Sequence, residues 1–254
     1  MIYTKEIETD FLNLNKVLIE KFGGEEIFRK RVFMLKNYHS KVFLIKDLLN
    51  DIKTSLRSET FKAYEMAVED LLDFIWLAYL GRYKSAIACL RTSLDIFVRG
   101  CYRELIGKGE KDSFSNNVDI VLKSVKQRFE GNLSDRLKKK AHSNFIEENF
   151  NLPIKRNYWD LSDSIHGKEI ISLPLIQYVN EILDVNSNFD ESSFNAVIDL
   201  GNNAIQKLFD LFLLINIEKL NLLVSSYKLT ISIQQYSEMT KKYLSDFLII
   251  HTFD

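Results

Sequence analysis

The chain has 254 residues, of which only 9 are glycine and 2 are proline; average usage would give roughly 18 and roughly 13. Glycine and proline are both frequent in turns, so their shortage argues against an all-β fold, which needs a turn roughly every 8–12 residues. With 46% hydrophobic residues, a disordered or collagen-like chain is excluded as well. The 34 basic and 35 acidic residues nearly balance, so any nucleic-acid role has to be local.

Apolar residues recur at helical spacing along almost the whole chain. We expect the second helix to bend near residues 37–40 and the third to be capped by Ser58 or Thr60. Pro153 is expected to begin a new segment and Pro174 to interrupt it. In chain order, the predicted helices are Ile7–Phe22, Glu25–Ser55, Ser58–Gly81, Arg82–Ile106, Phe114–Phe129, Ser134–Phe150, Glu191–Tyr227 and Ile231–Ile250.

These helices predict an all-α fold, a multi-helix bundle of long helices that forms one domain over residues 1–254. The sequence has no internal repeat and no linker-like segment. It also lacks the spacings typical of metal sites, nucleotide-binding loops and hydrolase nucleophiles. We therefore expect no cofactor and no metal.

The two cysteines and the apolar runs indicate where the protein works. Cys89 and Cys101 lie twelve residues apart on one predicted helix, or about 18 Å, too far for a disulfide. The most apolar runs, at 71–80 and 208–217, are about half the length that a membrane span requires. The first ten residues lack the pattern of a signal peptide. We expect a cytoplasmic protein with no membrane partner.

The densest set of reactive side chains lies between the two prolines. If this segment is helical, Ser162 and Asp163 precede His166 by four and three residues, so either can orient its imidazole. A glycine at the next position would end the helix there, where the helix dipole favours the protonated imidazole. His166 is thus either a C-terminal cap or a general acid and base.

Arg156 is the candidate phosphate ligand of the same segment, and its alternative role is a solvated ion pair on a surface helix. Ten residues along one helix separate Arg156 from His166 by about 15 Å. The two side chains can therefore meet only if the helix breaks or if a second protomer supplies one of them.

Two short motifs resemble those of bacterial all-helical proteins of the HEPN and abortive-infection type. One runs from Tyr158 through Leu161 and Ser162 to Ile165-His166-Gly167, and the other is Leu90-Arg91-Thr92-Ser93-Leu94-Asp95. The resemblance covers residues 81–167 and implies a HEPN-like core at about 58–225, as well as a role in antiviral defence or as a toxin.

The same resemblance implies a homodimer that cleaves RNA as a metal-independent ribonuclease. It assigns catalysis to Arg156 and His166, with Asn157 as the polar residue that follows the arginine in the HEPN signature. Nine residues lie between Arg156 and His166 here, more than that signature has.

Three other basic residues have two interpretations each. Arg136 and His142 are an alternative catalytic pair, with lysines at 138–140 that either attract phosphate or form a solvated face. Arg91 and Asp95 are spaced for an ion pair within one helix; alternatively, Arg91 is a second phosphate ligand near His166. Two hypotheses therefore stay open: a dimeric ribonuclease, and a non-catalytic helical protein that binds and regulates a protein partner.

Overall fold

The computed structural model describes residues 2–22, 25–109, 113–130, 133, 135–166 and 191–247. Within these ranges the chain forms helices joined by short connections and contains no strand, which confirms the all-α multi-helix bundle. The helices are α1 (Ile2–Phe22), α2 (Glu25–Ile52), α3 (Ser58–Tyr79), α4 (Tyr83–Leu105), α5 (Phe114–Glu130), α6 (Arg136–Ile146), α7 (Leu152–His166), α8 (Glu191–Leu223), α9 (Ser226–Tyr236) and α10 (Glu238–Phe247).

The core is built around α3, α4 and α8. Every residue of α8 from 208 to 217 is buried, so the apolar run predicted there is a helix enclosed on all sides. At Gly201 an added Cβ would lie 2.5 Å from the Phe74 ring, which shows how closely α8 approaches α3. In the part of the chain described, none of the helices is both long and apolar enough to cross a membrane.

The α3–α4 hairpin begins differently from the prediction. Neither Ser58 nor Thr60 caps α3, because the helix starts at Ser58 and the capping position belongs to Arg57, which makes no side-chain capping bond. Thr60 is buried instead. The hairpin turn is at Gly81, whose φ of 71° is a left-handed conformation that side chains disfavour.

A segment of π-helix, Glu147–Asn151, joins α6 to α7, so the chain stays helical from 136 to 166. α7 begins at Leu152, so Pro153 lies in the first turn of a new α-helix as predicted, although the chain does not leave the helical conformation there. Proline removes an N–H from the helix and crowds the carbonyl four residues earlier, and the wider π turn lies at that position. Asn151 fixes this turn, since its Nδ2 donates to Asp119 Oδ1 at 2.9 Å and to Glu147 Oε2 at 2.8 Å.

The C-terminal part contains two helices where the sequence predicted one. α9 ends at Tyr236 and α10 begins at Glu238. Ser237 lies between them, where its Oγ accepts a hydrogen bond from the Thr240 amide and donates one to the carboxylate of Asp210 in α8. The break follows from this long-range contact, which the local sequence does not reveal.

The polar stretch before the predicted site is divided in two by the structure. α5 packs into the core through its apolar face. By contrast, every residue from 135 to 141 is exposed, so the basic first half of α6 projects from the body of the bundle.

Candidate functional site

Arg91 connects the two motif segments. From α4, its Nε donates to Ser162 Oγ at 2.7 Å and its Nη2 donates to Tyr158 Oη at 2.7 Å, both on α7. The guanidinium carbon also lies 4.7 Å from the centre of the Tyr158 ring, within the range of a cation–π contact. Ser162 Oγ in turn donates to the Tyr158 carbonyl at 2.9 Å. The contact therefore fixes α7 against α4.

The predicted ion pair between Arg91 and Asp95 is wrong. Asp95 accepts a hydrogen bond from Arg99 Nε at 3.0 Å instead, four residues further along the same helix. α7 presents two hydroxyl groups that match the fork of a guanidinium, so Arg91 reaches across to the neighbouring helix.

Tyr158 is held in place by aromatic packing. Its ring stacks on Phe114 of α5, with ring centres 3.9 Å apart and planes 8° apart, and Trp159 meets it edge-on at 5.7 Å. The neighbouring Asn157 is also buried, and its Oδ1 finds no hydrogen-bond partner among the residues that the structure describes. Asn157 therefore faces inward, not toward a phosphate at Arg156.

The remaining predicted residues of α7 are on its outside or at its end. Arg156 and Asp163 are both exposed. Because α7 is unbroken from Leu152 to His166, the ten residues between Arg156 and His166 span about 15 Å. Within one protomer, these two residues do not form one site. His166 is the last residue of α7; its side chain lies outside the described residues, as do Gly167 and Pro174.

The alternative pair, Arg136 and His142, is not brought together at an open site. Arg136 is exposed, whereas the His142 side chain is fully buried and its Nε2 lies 2.9 Å from Tyr243 Oη. Burial lowers the pKa of His142, and Glu130 opposes part of that effect. A phosphate bound at Arg136 has no access to this imidazole.

Asp210 lies in a polar cluster that the sequence did not indicate. Its side chain is 2% exposed. One carboxylate oxygen accepts from Ser237 and from Thr240 Oγ1 at 3.4 Å, and the other accepts from Gln206 Nε2 at 3.1 Å. Burial raises the pKa of Asp210, and the bond from Ser237 is the largest of the opposing effects.

Lys41 of α2 belongs to the same cluster. It is 4% exposed, and its Nζ donates to Asn37 Oδ1 at 2.6 Å. Burial lowers the pKa of Lys41 to about 8, although the negative charge of Asp210 acts in the opposite direction. Both residues line a cavity of about 350 Å³. They are 169 positions apart in the sequence, so no motif spacing could have paired them.

Two further groups of titratable residues involve α1 to α4. His39 Nε2 lies 2.9 Å from Asp10 Oδ2 on the wall of a cavity of about 160 Å³. Asp70, Asp73 and Cys89 bring their possible ligand atoms within 4.8 Å of one another. Burial, the main cause, raises the pKa of Cys89 to about 11, so in the absence of a metal the thiol is protonated at neutral pH.

No protein-family model, curated protein or solved structure matches the chain. Its function therefore has to be argued from its own residues. The contact of Arg91 with Tyr158 and Ser162 is the strongest starting point, because it joins the two sequence motifs at 90–95 and 158–167.

Proposed function

We propose that this is a HEPN-like helical protein of the bacterial defence or toxin type, which acts as a dimeric, metal-independent endoribonuclease. The observation that supports the proposal is the pair of hydrogen bonds from Arg91 to Tyr158 and Ser162. They hold the last turns of α7 against α4, and His166 ends that helix four residues after Ser162.

In this proposal His166 is the general base and acid. It removes the proton of a ribose 2′-hydroxyl, whose oxygen then attacks the adjacent phosphorus. The bond from phosphorus to the 5′-oxygen breaks, and that oxygen takes up a proton. The products carry a 2′,3′-cyclic phosphate and a 5′-hydroxyl group. The end of α7 favours the protonated imidazole needed for the second proton transfer.

The arginines supply positive charge for the phosphate. Among the described contacts, Arg91 uses two of its five N–H groups. Arg91 as a whole is only partly buried, and the proposal assigns its other N–H groups to a phosphate oxygen. Arg156 supplies the second charge from another protomer, since about 15 Å separates it from the His166 of its own helix.

The exposed face of α7 is suited to this dimer. Leu152, Arg156, Trp159 and Asp163 recur at helical spacing, and Leu152 and Trp159 are 53% and 55% exposed. Exposed tryptophan and arginine are typical of protein interfaces. If two copies of α7 pair antiparallel about residue 161, Arg156 of each protomer lies level with the partner's His166.

The alternative is a non-catalytic helical protein that binds and regulates a protein partner. The hydrogen bonds of Arg91 and Ser162 favour it, because they join α4 to α7 and would be needed for the fold alone. In that case the exposed Trp159 and Leu152 would contact the partner protein rather than a second copy.

Mixing two inactive variants tests the composite site. We expect His166→Ala and Arg156→Ala each to lower cleavage of total RNA or transfer RNA, measured at pH 6–8 in EDTA, and the histidine variant by about 100-fold or more. When the two variants are co-expressed, mixed dimers keep one intact site, and activity should partly return. Arg136→Ala, which changes another exposed arginine, is the control.

Each outcome separates the two hypotheses. Recovery in the mixed dimers supports a site shared between protomers. RNA left intact by the folded, dimeric wild-type protein would contradict the ribonuclease proposal and favour the non-catalytic alternative. Toxicity on induced expression that His166→Ala abolishes, in a variant that still folds, would support the nuclease inside cells.

A further inference from the structure

A cavity of about 350 Å³ lies between α2, α8 and the connection from α9 to α10, away from the contact of α4 with α7. Its charged lining residues come from three helices: Lys41 from α2, Lys207 and Asp210 from α8, and Glu238 from α10. The cavity is therefore a polar site whose residues have no role in the proposed ribonuclease mechanism.

Lys41 has unusual surroundings for a buried lysine. Lysine is almost never fully buried unless an acidic group pairs with it, and Lys41 is only 4% exposed. Its ammonium nevertheless donates to the neutral amide oxygen of Asn37, and no carboxylate of the described residues lies within ion-pair distance. The carboxylate of Asp210 acts on Lys41 through its charge, but it accepts hydrogen bonds from other side chains and none from Lys41.

These surroundings favour the neutral amine. Burial penalises the charged form of a lysine, and an amide oxygen offsets this less than a carboxylate would. With a pKa of about 8, roughly a tenth of the Lys41 amines carry a free lone pair at pH 7, far more than for an ordinary lysine, and this neutral fraction is a nucleophile for carbonyl groups. Here the lysine also lines a cavity of about 350 Å³, which is the place where a small molecule would meet it.

Lys207 adds a second requirement for any ligand. Its positive charge lies close enough to Asp210 to lower the pKa of that carboxyl group, and it lines the same cavity. Glu238 is exposed, and Asp210 already accepts three hydrogen bonds. Lys41 and Lys207 are the basic residues that line the cavity, and among the described residues Lys207 has no hydrogen bond or ion pair, so its ammonium is the cationic group open to an anionic ligand.

We propose that Lys41 forms a reversible imine with a small 2-oxo acid, and that the carboxylate of this ligand binds beside Lys207. The Nζ lone pair forms a bond to the carbonyl carbon, and the π electrons of the carbonyl move to its oxygen. Both protons of the amine pass to that oxygen through solvent; the C–O bond then breaks, water leaves, and the electrons on nitrogen form the second carbon–nitrogen bond, so no oxidant or reductant is required.

Reductive trapping tests this proposal on the full-length protein. Glyoxylate and, separately, propanal are incubated with the protein at pH 7 in the presence of cyanoborohydride, and the modified lysines are mapped by mass spectrometry. We expect Lys41 to be labelled at least 10-fold faster than exposed lysines such as Lys46, because ordinary lysines are almost fully protonated at this pH. Glyoxylate should react faster than propanal at Lys41 alone.

Three variants complete the experiment. Lys41→Arg should abolish the fast labelling while Lys46→Arg leaves it unchanged, and Lys207→Gln should remove the preference for glyoxylate. Labelling spread over exposed lysines, with Lys41 unmodified, would overturn the proposal; this result comes from the wild-type protein and does not depend on the folding of a variant. Equal rates for the two aldehydes would overturn the role of Lys207.

Discussion

Arg91 is partly buried and Lys41 is buried, and both hydrogen-bond to neutral groups, but their surroundings have different consequences. Arg91 binds two hydroxyl groups and lies over the ring of Tyr158. Lys41 donates to one amide oxygen and lines a cavity. A guanidinium keeps its charge in such surroundings, whereas an ammonium can lose its proton. The first residue therefore joins helices, and the second gains chemical reactivity.

Removing Arg91 should have the largest effect on stability. Arg91→Ala deletes two hydrogen bonds from a charged donor and one cation–π contact, so we expect it to lower the free energy of unfolding by roughly 2–4 kcal/mol. Arg91→Lys should recover little of this loss, because an ammonium does not reproduce the fork. Denaturant unfolding measures both variants.

Arg99→Ala on the same helix is the matched control. Its partner Asp95 is partly exposed, and pairs of this kind contribute about 0.2–1 kcal/mol. If the two alanine variants lose similar stability, the contact between α4 and α7 does not have the structural importance that its geometry indicates.

Lys41 should make stability depend on pH in the alkaline range. Its pKa of about 8 in the folded protein lies below the roughly 10.4 of an unfolded chain, so the unfolded state binds more protons between these values. Stability therefore rises with pH across this window, by on the order of 2 kcal/mol.

The difference in the free energy of unfolding between wild type and Lys41→Met isolates the contribution of Lys41 from that of the tyrosines and cysteines, which titrate in the same range. Measured by denaturant unfolding at pH 8 and pH 10, that difference should shift in favour of the wild type. A difference that is independent of pH would show that Lys41 keeps its ordinary pKa.

The buried His142 should make stability depend on pH in the acidic range. Burial lowers its pKa in the folded protein, so stability is highest above the unfolded value of about 6.5 and falls as the pH decreases below it. We expect His142→Gln, which retains a side-chain group that can bind Tyr243, to reduce the loss of stability between pH 7 and pH 5, measured by denaturant unfolding. An unchanged loss would contradict the prediction.

Ser162→Ala should have a smaller effect than Arg91→Ala. It removes the acceptor for Arg91 Nε but leaves the bond from Arg91 to Tyr158 in place. Since only one hydrogen bond of Arg91 is lost, we expect a loss of about 0.5–1 kcal/mol. A loss as large as that of Arg91→Ala would mean that Ser162 alone carries the contact.

Much of the fold could be predicted from the sequence because its helices are long and strongly periodic. α4 and α5 each end within one residue of the predicted boundaries. The errors fall where distant residues decide the local structure. Ser237 interrupts the last predicted helix through Asp210, 27 residues away, and the π turn before Pro153 is fixed by Asn151 and Asp119.

The candidate site was less accessible to sequence reasoning. The two motifs located Arg91, Tyr158 and Ser162, but helical spacing paired Arg91 with Asp95 because that rule considers one helix at a time. Hydroxyl groups on α7 were the better partners. No sequence pattern indicated Lys41 or Asp210. A lysine in an amphipathic helix is recognised as buried only when the helices that pack over it are known.

The π turn at Glu147–Asn151 sets the rotation of α7 relative to α6. A π turn accommodates one more residue than an α turn, and one residue of an α-helix corresponds to about 100° of rotation. Because the wider turn takes up one extra residue, α7 keeps nearly the orientation that a regular α-helix one residue shorter would give it. Deleting one residue within the π segment should therefore leave Tyr158 and Ser162 facing Arg91, whereas deleting one between Leu152 and Tyr158 would turn them away by about 100°. The π segment is thus a place where the chain can change its length by one residue while the side chains that Arg91 binds stay in position.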